Sequence, residues 1–114
     1  TVTYTQLDTS VNPVYNTSGA VLGRSKTIVG SGTVSNIAGH SGADYGIIVN
    51  LSGSAAFTSN GTYSVNMGLI TDFGGGNPSL STSSFIQQVS GSQFIIRTSS
   101  AINGYTLAFS AEGY

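Results

Sequence analysis

The chain contains no cysteine and no tryptophan. Without cysteine there are neither disulfides nor thiolate metal sites. Charge is nearly as scarce: only 6% of residues are Asp, Glu, Lys or Arg, against roughly 25% in an average globular protein. Arg24, Lys26 and Arg97 are the only lysines or arginines. They form no basic stripe, and nucleic-acid binding is not expected. No apolar run approaches the roughly 20 residues of a membrane-spanning helix, so membrane insertion is not expected either. No stretch keeps a helical period.

What replaces charge is hydroxyl and amide: Ser, Thr, Asn and Gly together make up 56 of the 114 residues. Such a polar mix suggests disorder, but disordered chains combine low hydrophobicity with high net charge. Here 39% of residues are hydrophobic and the formal net charge is −1, with a mean hydropathy of +0.15. The sequence reads as one folded domain spanning 1–114, which buries roughly 65% of its unfolded surface. It begins at Thr1 with no Met and no signal-like segment, and is read as a piece of a longer protein.

Short β-branched runs bounded by Gly, Ser and Asn predict strands. "TVTYTQL" (1–7) puts Val2 and Tyr4 on one face and threonines on the other. "KTIVGSGTVS" (26–35) carries glycines that predict a bulge or bend. "DYGIIVNLS" (44–52) alternates through Tyr45, Ile47, Val49 and Leu51, and "TYSVNMGLI" (62–70) through Tyr63, Val65, Met67 and Leu69. "SAAFTS" (54–59) reads as a short strand, and Asn60-Gly61 as a hairpin-type turn. "SFIQQVS" (84–90), "SQFIIRTS" (92–99) and "GYTLAFSAE" (104–112) close the chain. Segments 8–25, 36–43 and 72–79 read as loops. About eight strands at this spacing predict an all-β antiparallel sandwich of jelly-roll or Greek-key kind. In the last strand Tyr105, Leu107 and Phe109 share one face, and Thr106, Ala108 and Ser110 share the other. With neither face charged there, it should lie in mid-sheet.

The chemical inventory is short. The acids are Asp8, Asp44, Asp72 and Glu112, and the one histidine is His40. A Ser–His–Asp triad lacks its nucleophile elbow. Asp44 and Asp72, read as capping opposite ends of adjacent strands, are the pair available for glycoside hydrolysis, but a sandwich this small offers little cleft. His40 lies in a Gly/Ser loop and reads as solvated. The metal alternative would need three copies of His40 converging in a threefold assembly. Gly74–Gly76 precede Pro78 without the Lys-Ser/Thr of a phosphate loop. The sequons at Asn16, Asn50 and Asn60 fall within chance for this composition. Tyr4, Tyr45, Tyr63 and Tyr105 are in phase with apolar strand residues and read as core or interface. Tyr15, in an Asn/Pro/Ser loop, is the better ligand contact. Binding is expected on the loops, with Tyr15, Asn16, His40, Asp44, Asp72 and Asn77 as candidate contacts. No catalytic residue, cofactor or metal is expected.

"NGTYSVNM" (60–67), followed by "SFIQQVSGSQFIIRTSSAINGYTLAFSAEGY" (84–114), resembles the tip of a viral fibre. Ser84-Phe85, a hairpin, Phe94-Ile95-Ile96-Arg97-Thr98, and a last strand reaching Ala111-Glu112-Gly113-Tyr114 are similar to the ends of bacteriophage tail fibres and tailspikes. Small adenovirus fibre heads are similar in size and Ser/Thr/Gly content. The likeness covers about residues 44–114; it departs from common phage endings at Phe109, where they carry Trp. It implies a homotrimer of β-sandwich protomers on a shaft at the virion surface, binding a host-cell receptor, glycan or protein, without enzymatic activity. Two other readings stand beside it: a carbohydrate-binding or adhesin module of a bacterial surface or secreted protein, and a purely structural trimerisation domain.

Overall fold

A computed structural model describes residues 2–8, 13–39, 43–70 and 84–114. Their strands are β1 (Val2–Asp8), β2 (Pro13–Tyr15), β3 (Val21–Arg24), β4 (Lys26–Thr33), β5 (Ser35–Asn36), β6 (Tyr45–Asn50), β7 (Tyr63–Ile70), β8 (Phe85–Ser90), β9 (Gln93–Thr98) and β10 (Thr106–Gly113). Helix among them is limited to two 3-10 turns, Gly53–Ala55 and Ser100–Ile102. Two four-stranded antiparallel sheets, ordered β1-β4-β10-β7 and β5-β6-β9-β8, form the sandwich, and β2 and β3 make a separate hairpin.

Period-2 alternation decides which side chains enter the core. The first sheet sends in Ile28, Leu107, Phe109 and Ala111, and the second sends in Ile47, Val49, Phe94 and Ile96. Tyr63 is buried with them, and Tyr4, Tyr45 and Tyr105 pack partly buried against the same cluster. Four aromatic rings thread this core. Phe57 stacks on Tyr63 with centroids 4.3 Å apart, Tyr63 meets Phe94 at 6.2 Å, and Phe94 meets Phe109 edge-on at 5.4 Å. Each fully buried large apolar side chain stabilises the fold by roughly 1.5–3 kcal/mol.

Strand β10 lies between β4 and β7 and pairs with both along Thr106–Gly113. The mid-sheet placement predicted from its uncharged faces is correct. Its far end is tied down as well: Tyr114 N donates to Thr62 O, and Thr58 N donates to Tyr114 O. Gly30 on β4 lies beside Phe109 in the ladder. A Cβ at this position would sit 2.2 Å from Thr3 O and 2.7 Å from Phe109 Cζ.

Several local expectations are corrected. Residues 8–25 are not loop throughout, because β2 and β3 pair within them. Residues 54–59 form no strand. After Asn50 the chain crosses from the second sheet to the first, so this segment has no ladder partner and turns as 3-10 at Gly53–Ala55. Asn60-Gly61 is a turn, but it feeds β7 from that crossover instead of joining two paired strands. The glycines of β4 mark close approach, not a bulge; register shifts occur instead at Gln6/Asp8, Val14/Tyr15 and Gln88/Ser90. Strands β6 and β7, read as adjacent in the pairing of Asp44 with Asp72, lie in different sheets; Asp72 itself lies outside the described residues.

Candidate functional site

Two of the chain's three cations serve as internal staples. Lys26 Nζ donates to Ser54 O at 2.8 Å and also to Ala56 O, and it lies 5.3 Å from the Phe57 ring centroid. Burial lowers its pKa from the ordinary lysine value. Beside it, Gln6 Nε2 donates to Ser54 O, Ser54 Oγ to Gln6 Oε1, and Ser52 N to Tyr4 Oη. These bonds fasten the 51–56 crossover across one end of the first sheet. Arg97, only 8% exposed, does the same for residues 36–39. Its Nε donates to Gln87 Oε1 at 2.9 Å and its guanidinium to Ala38 O at 2.7 Å.

The β2–β3 hairpin is built differently. Residues 15–21 are all exposed, and Tyr15, 57% exposed, pairs across the hairpin with exposed Val21. Asn16 shapes the turn. Its Oδ1 accepts from Ser18 N at 2.9 Å and from Ala20 N at 3.0 Å, while its backbone N donates to Ala20 O. Gly19 takes φ 84° there, a left-handed conformation that glycine adopts at little steric cost. An isolated two-stranded hairpin is marginal in water. Side-chain bonds from Asn16 therefore hold the tip that presents Tyr15 and Val21.

The outward faces of the two sheets differ. Thr3, Thr5, Thr27, Val29, Ser31, Thr33, Ser64, Asn66, Gly68, Thr106, Ala108, Ser110 and Glu112 alternate outward on the first. This face is small and hydroxyl-rich. Between β7 and β10 it carries a shallow depression lined by Asn66, Met67, Gly68, Ala108, Phe109 and Ser110. The second sheet turns Ile48, Phe85 and Val89 to solvent, with Ile95 buried among its outward residues.

At the end of the second sheet where β6 begins and β9 stops, Asp44, Tyr45, Ser99 and Ser100 line a cavity of about 270 Å³. Its rims are fixed from below. Thr98, fully buried, places Oγ1 3.2 Å from Tyr45 O and 3.3 Å from Ser99 O. Asp44 O accepts from both Ile37 N (2.7 Å) and Ala38 N (2.8 Å). Ala38 itself has φ 55°, the left-handed region that non-glycine residues seldom adopt.

Of the residues singled out in the sequence, Tyr15 and Asn16 share the hairpin tip, while Asp44 lies at the cavity beside β6. His40, Asp72 and Asn77 lie outside the described residues. Sequence reasoning missed Ser99 and Ser100, which carry no signal in a chain with 19 serines. It also passed over Arg97, whose place inside the apolar run "FIIRT" was an available clue. Comparison of the chain with protein-family models, with curated proteins and with solved structures gives no match.

Proposed function

We propose that this domain is the receptor-binding head of a viral fibre. It associates as a homotrimer at the virion surface and attaches to a glycan or protein of the host cell, without enzymatic activity. The observation that carries the reading is the second sheet's outward face. Ile48, Phe85 and Val89 are exposed there around Ile95, in a chain with little charge to keep copies apart. A surface of this kind calls for cover, and a second and third copy of the chain supply it. Likeness of residues 44–114 to fibre tips supports the same reading, and the hairpin tip offers exposed Tyr15 and Val21 for contact.

Sedimentation equilibrium at micromolar concentration tests the assembly. Three times the 11.6 kDa chain mass is expected, and the monomer mass refutes the trimer. Binding of the labelled domain to bacterial and animal cells, displaced by excess unlabelled domain, tests attachment. A monomeric carbohydrate-binding or adhesin module is the second reading, favoured by the cavity at Asp44 and Tyr45. A monomer mass with retained sugar binding decides for it.

A further inference from the structure

We propose that the cavity lined by Asp44, Tyr45, Ser99 and Ser100 binds one neutral hexose unit. The inference deepens the attachment reading by assigning its ligand class and its place on the domain.

The chemistry of the lining sets the class. Asp44 brings a carboxylate, which only accepts hydrogen bonds when ionised. Tyr45, Ser99 and Ser100 are hydroxyl residues, whose groups both donate and accept, and Tyr45, half-buried against the core, also carries an aromatic ring. A ligand matching this set needs several hydroxyl donors and acceptors close together, and a C–H face for the ring. A pyranose has both. Among the described residues the lining gives no cation to an anionic sugar, and Arg97 is engaged with Gln87 and Ala38. Size agrees: about 270 Å³ falls just short of the roughly 300–1,000 Å³ of pockets for drug-sized ligands, leaving room for a single small unit.

The site is also preorganised. Tyr45 opens β6 and pairs with Thr98, the last residue of β9, so two central strands carry the rims. The buried Thr98 hydroxyl lies within hydrogen-bond distance of a carbonyl from each rim. Residues Ile37 and Ala38 clamp the Asp44 carbonyl, and the left-handed Ala38 is held by Arg97. Backbone strain fixed in this manner concentrates at ligand sites, and rims that need no ordering on binding retain more of the contact energy. Thr98 is thus a positioning residue that acts through Tyr45 and Ser99.

The test is an amide-resolved NMR titration of the whole domain. The probes are the methyl glycosides of glucose, galactose, mannose and N-acetylglucosamine, with sodium glucuronate as the anionic arm. At least one neutral glycoside should give saturable shifts at Asp44, Tyr45, Ser99 and Ser100, with Kd on the order of 1 mM, and glucuronate should give none. Asp44→Asn should weaken binding at least tenfold, and Ser100→Trp, which fills the cavity from an exposed rim, should abolish it should the first variant fail to fold. Thr98→Val should weaken binding while Thr98→Ser restores it, a pattern that a merely structural hydroxyl would not give. Absence of saturable shifts with all four glycosides, or shifts centred on the hairpin tip and indifferent to Ser100→Trp, overturns the inference. Cell attachment without any sugar response overturns it too and leaves the attachment reading standing. A sugar response in a domain that binds no cell supports the inference and removes the attachment reading.

Discussion

Replacing Phe109 with Ala should destabilise the domain by about 3–5 kcal/mol, the usual cost of deleting a buried phenyl ring. Phe109 is 4% exposed, and its ring packs edge-on against Phe94 with centroids 5.4 Å apart. It sits on β10, opposite Gly30 on one side and Met67 on the other. The cavity left behind cannot collapse easily, because β10 is bonded into the sheet along both edges. For a domain of this size each kcal/mol shifts Tm by roughly 4 °C, so the midpoint should fall by about 12–20 °C. Ser110, half-buried on the opposite face, provides the control: Ser110→Ala should change stability by no more than about 0.5 kcal/mol. Thermal unfolding followed by circular dichroism, checked by urea titration, reads both. A double variant sharpens the test. Gly30→Ala drives a methyl into Phe109 Cζ and also into the Thr3 carbonyl; removing the ring relieves only the first clash. The pair should therefore be less than additive yet remain strongly destabilised. Equal, small effects of Phe109→Ala and Ser110→Ala would refute the account of β10 as the buried centre of its sheet.

Deleting residues 104–114 should abolish the cooperative unfolding transition, since both ladders of β10 are lost; a truncated chain that still melts cooperatively contradicts this. Ala38→Gly should raise stability by up to about 1 kcal/mol by relieving the left-handed alanine, whose side chain is exposed, and a clear loss in urea midpoint would count against strain at that position. Arg97→Lys should cost about 1–3 kcal/mol, because an ammonium cannot reproduce the fork that reaches Gln87 and Ala38 together; an unchanged midpoint would mean the strap holds without it. Tyr63 donates its hydroxyl to Ser90 O at 2.8 Å, and burial raises its pKa from the ordinary value. Its contribution is intact below the unfolded tyrosine pKa of about 10 and is lost as pH climbs through the raised folded value. Urea midpoints should decline over that alkaline window in the native protein and decline less in Tyr63→Phe; equal declines would refute the assignment.

Seven of the strands were legible from short β-branched or aromatic runs between turn residues, and in several of them alternation on a half-buried sheet also marks the faces. Ile47/Val49 and Leu107/Phe109 are examples in which the period places the inward face, whereas in β9 Ile95 is buried between Phe94 and Ile96 and the sequence shows no alternation. The hairpin at 13–24 was not legible. Its strands are three and four residues long, too short to display a period, and Pro13, Gly19 and Gly23 read as loop punctuation. Segment 54–59 failed for the opposite reason. Ala55 and Phe57 are buried at period 2, but they lie on the crossover itself and have no strand beside them in a sheet. Pairing was less legible still, because alternation states which way a side chain faces and not which strand lies beside it. Asn60-Gly61 illustrates this: its turn propensity is realised, yet the chain it redirects leaves one sheet for the other. At the cavity, Asp44 stood out because acids are scarce, whereas Ser99 and Ser100 were lost among their own kind.

Scarcity of charge then explains how the ends of the sandwich are built. Crossovers between sheets leave backbone carbonyls without ladder partners, and each such carbonyl buried unpaired is costly. Ordinary globular chains can meet that need with any of many surface cations. This chain has three, and the two whose side chains are described each tie a connection to a sheet: Lys26 holds the 54–56 carbonyls of the crossover, and Arg97 holds Ala38 in the connection from β5 to β6. Both use long apolar stems to span the gap while their heads satisfy carbonyl oxygens. With these two committed to the scaffold, the recognition proposed above would fall, on the described surface, to hydroxyls, amides and tyrosine rings. The hairpin tip of Tyr15 and Asn16 and the cavity of Asp44, Tyr45, Ser99 and Ser100 are made of those groups. Their chemistry suits the uncharged hydroxylated ligand proposed above better than phosphates or acidic sugars.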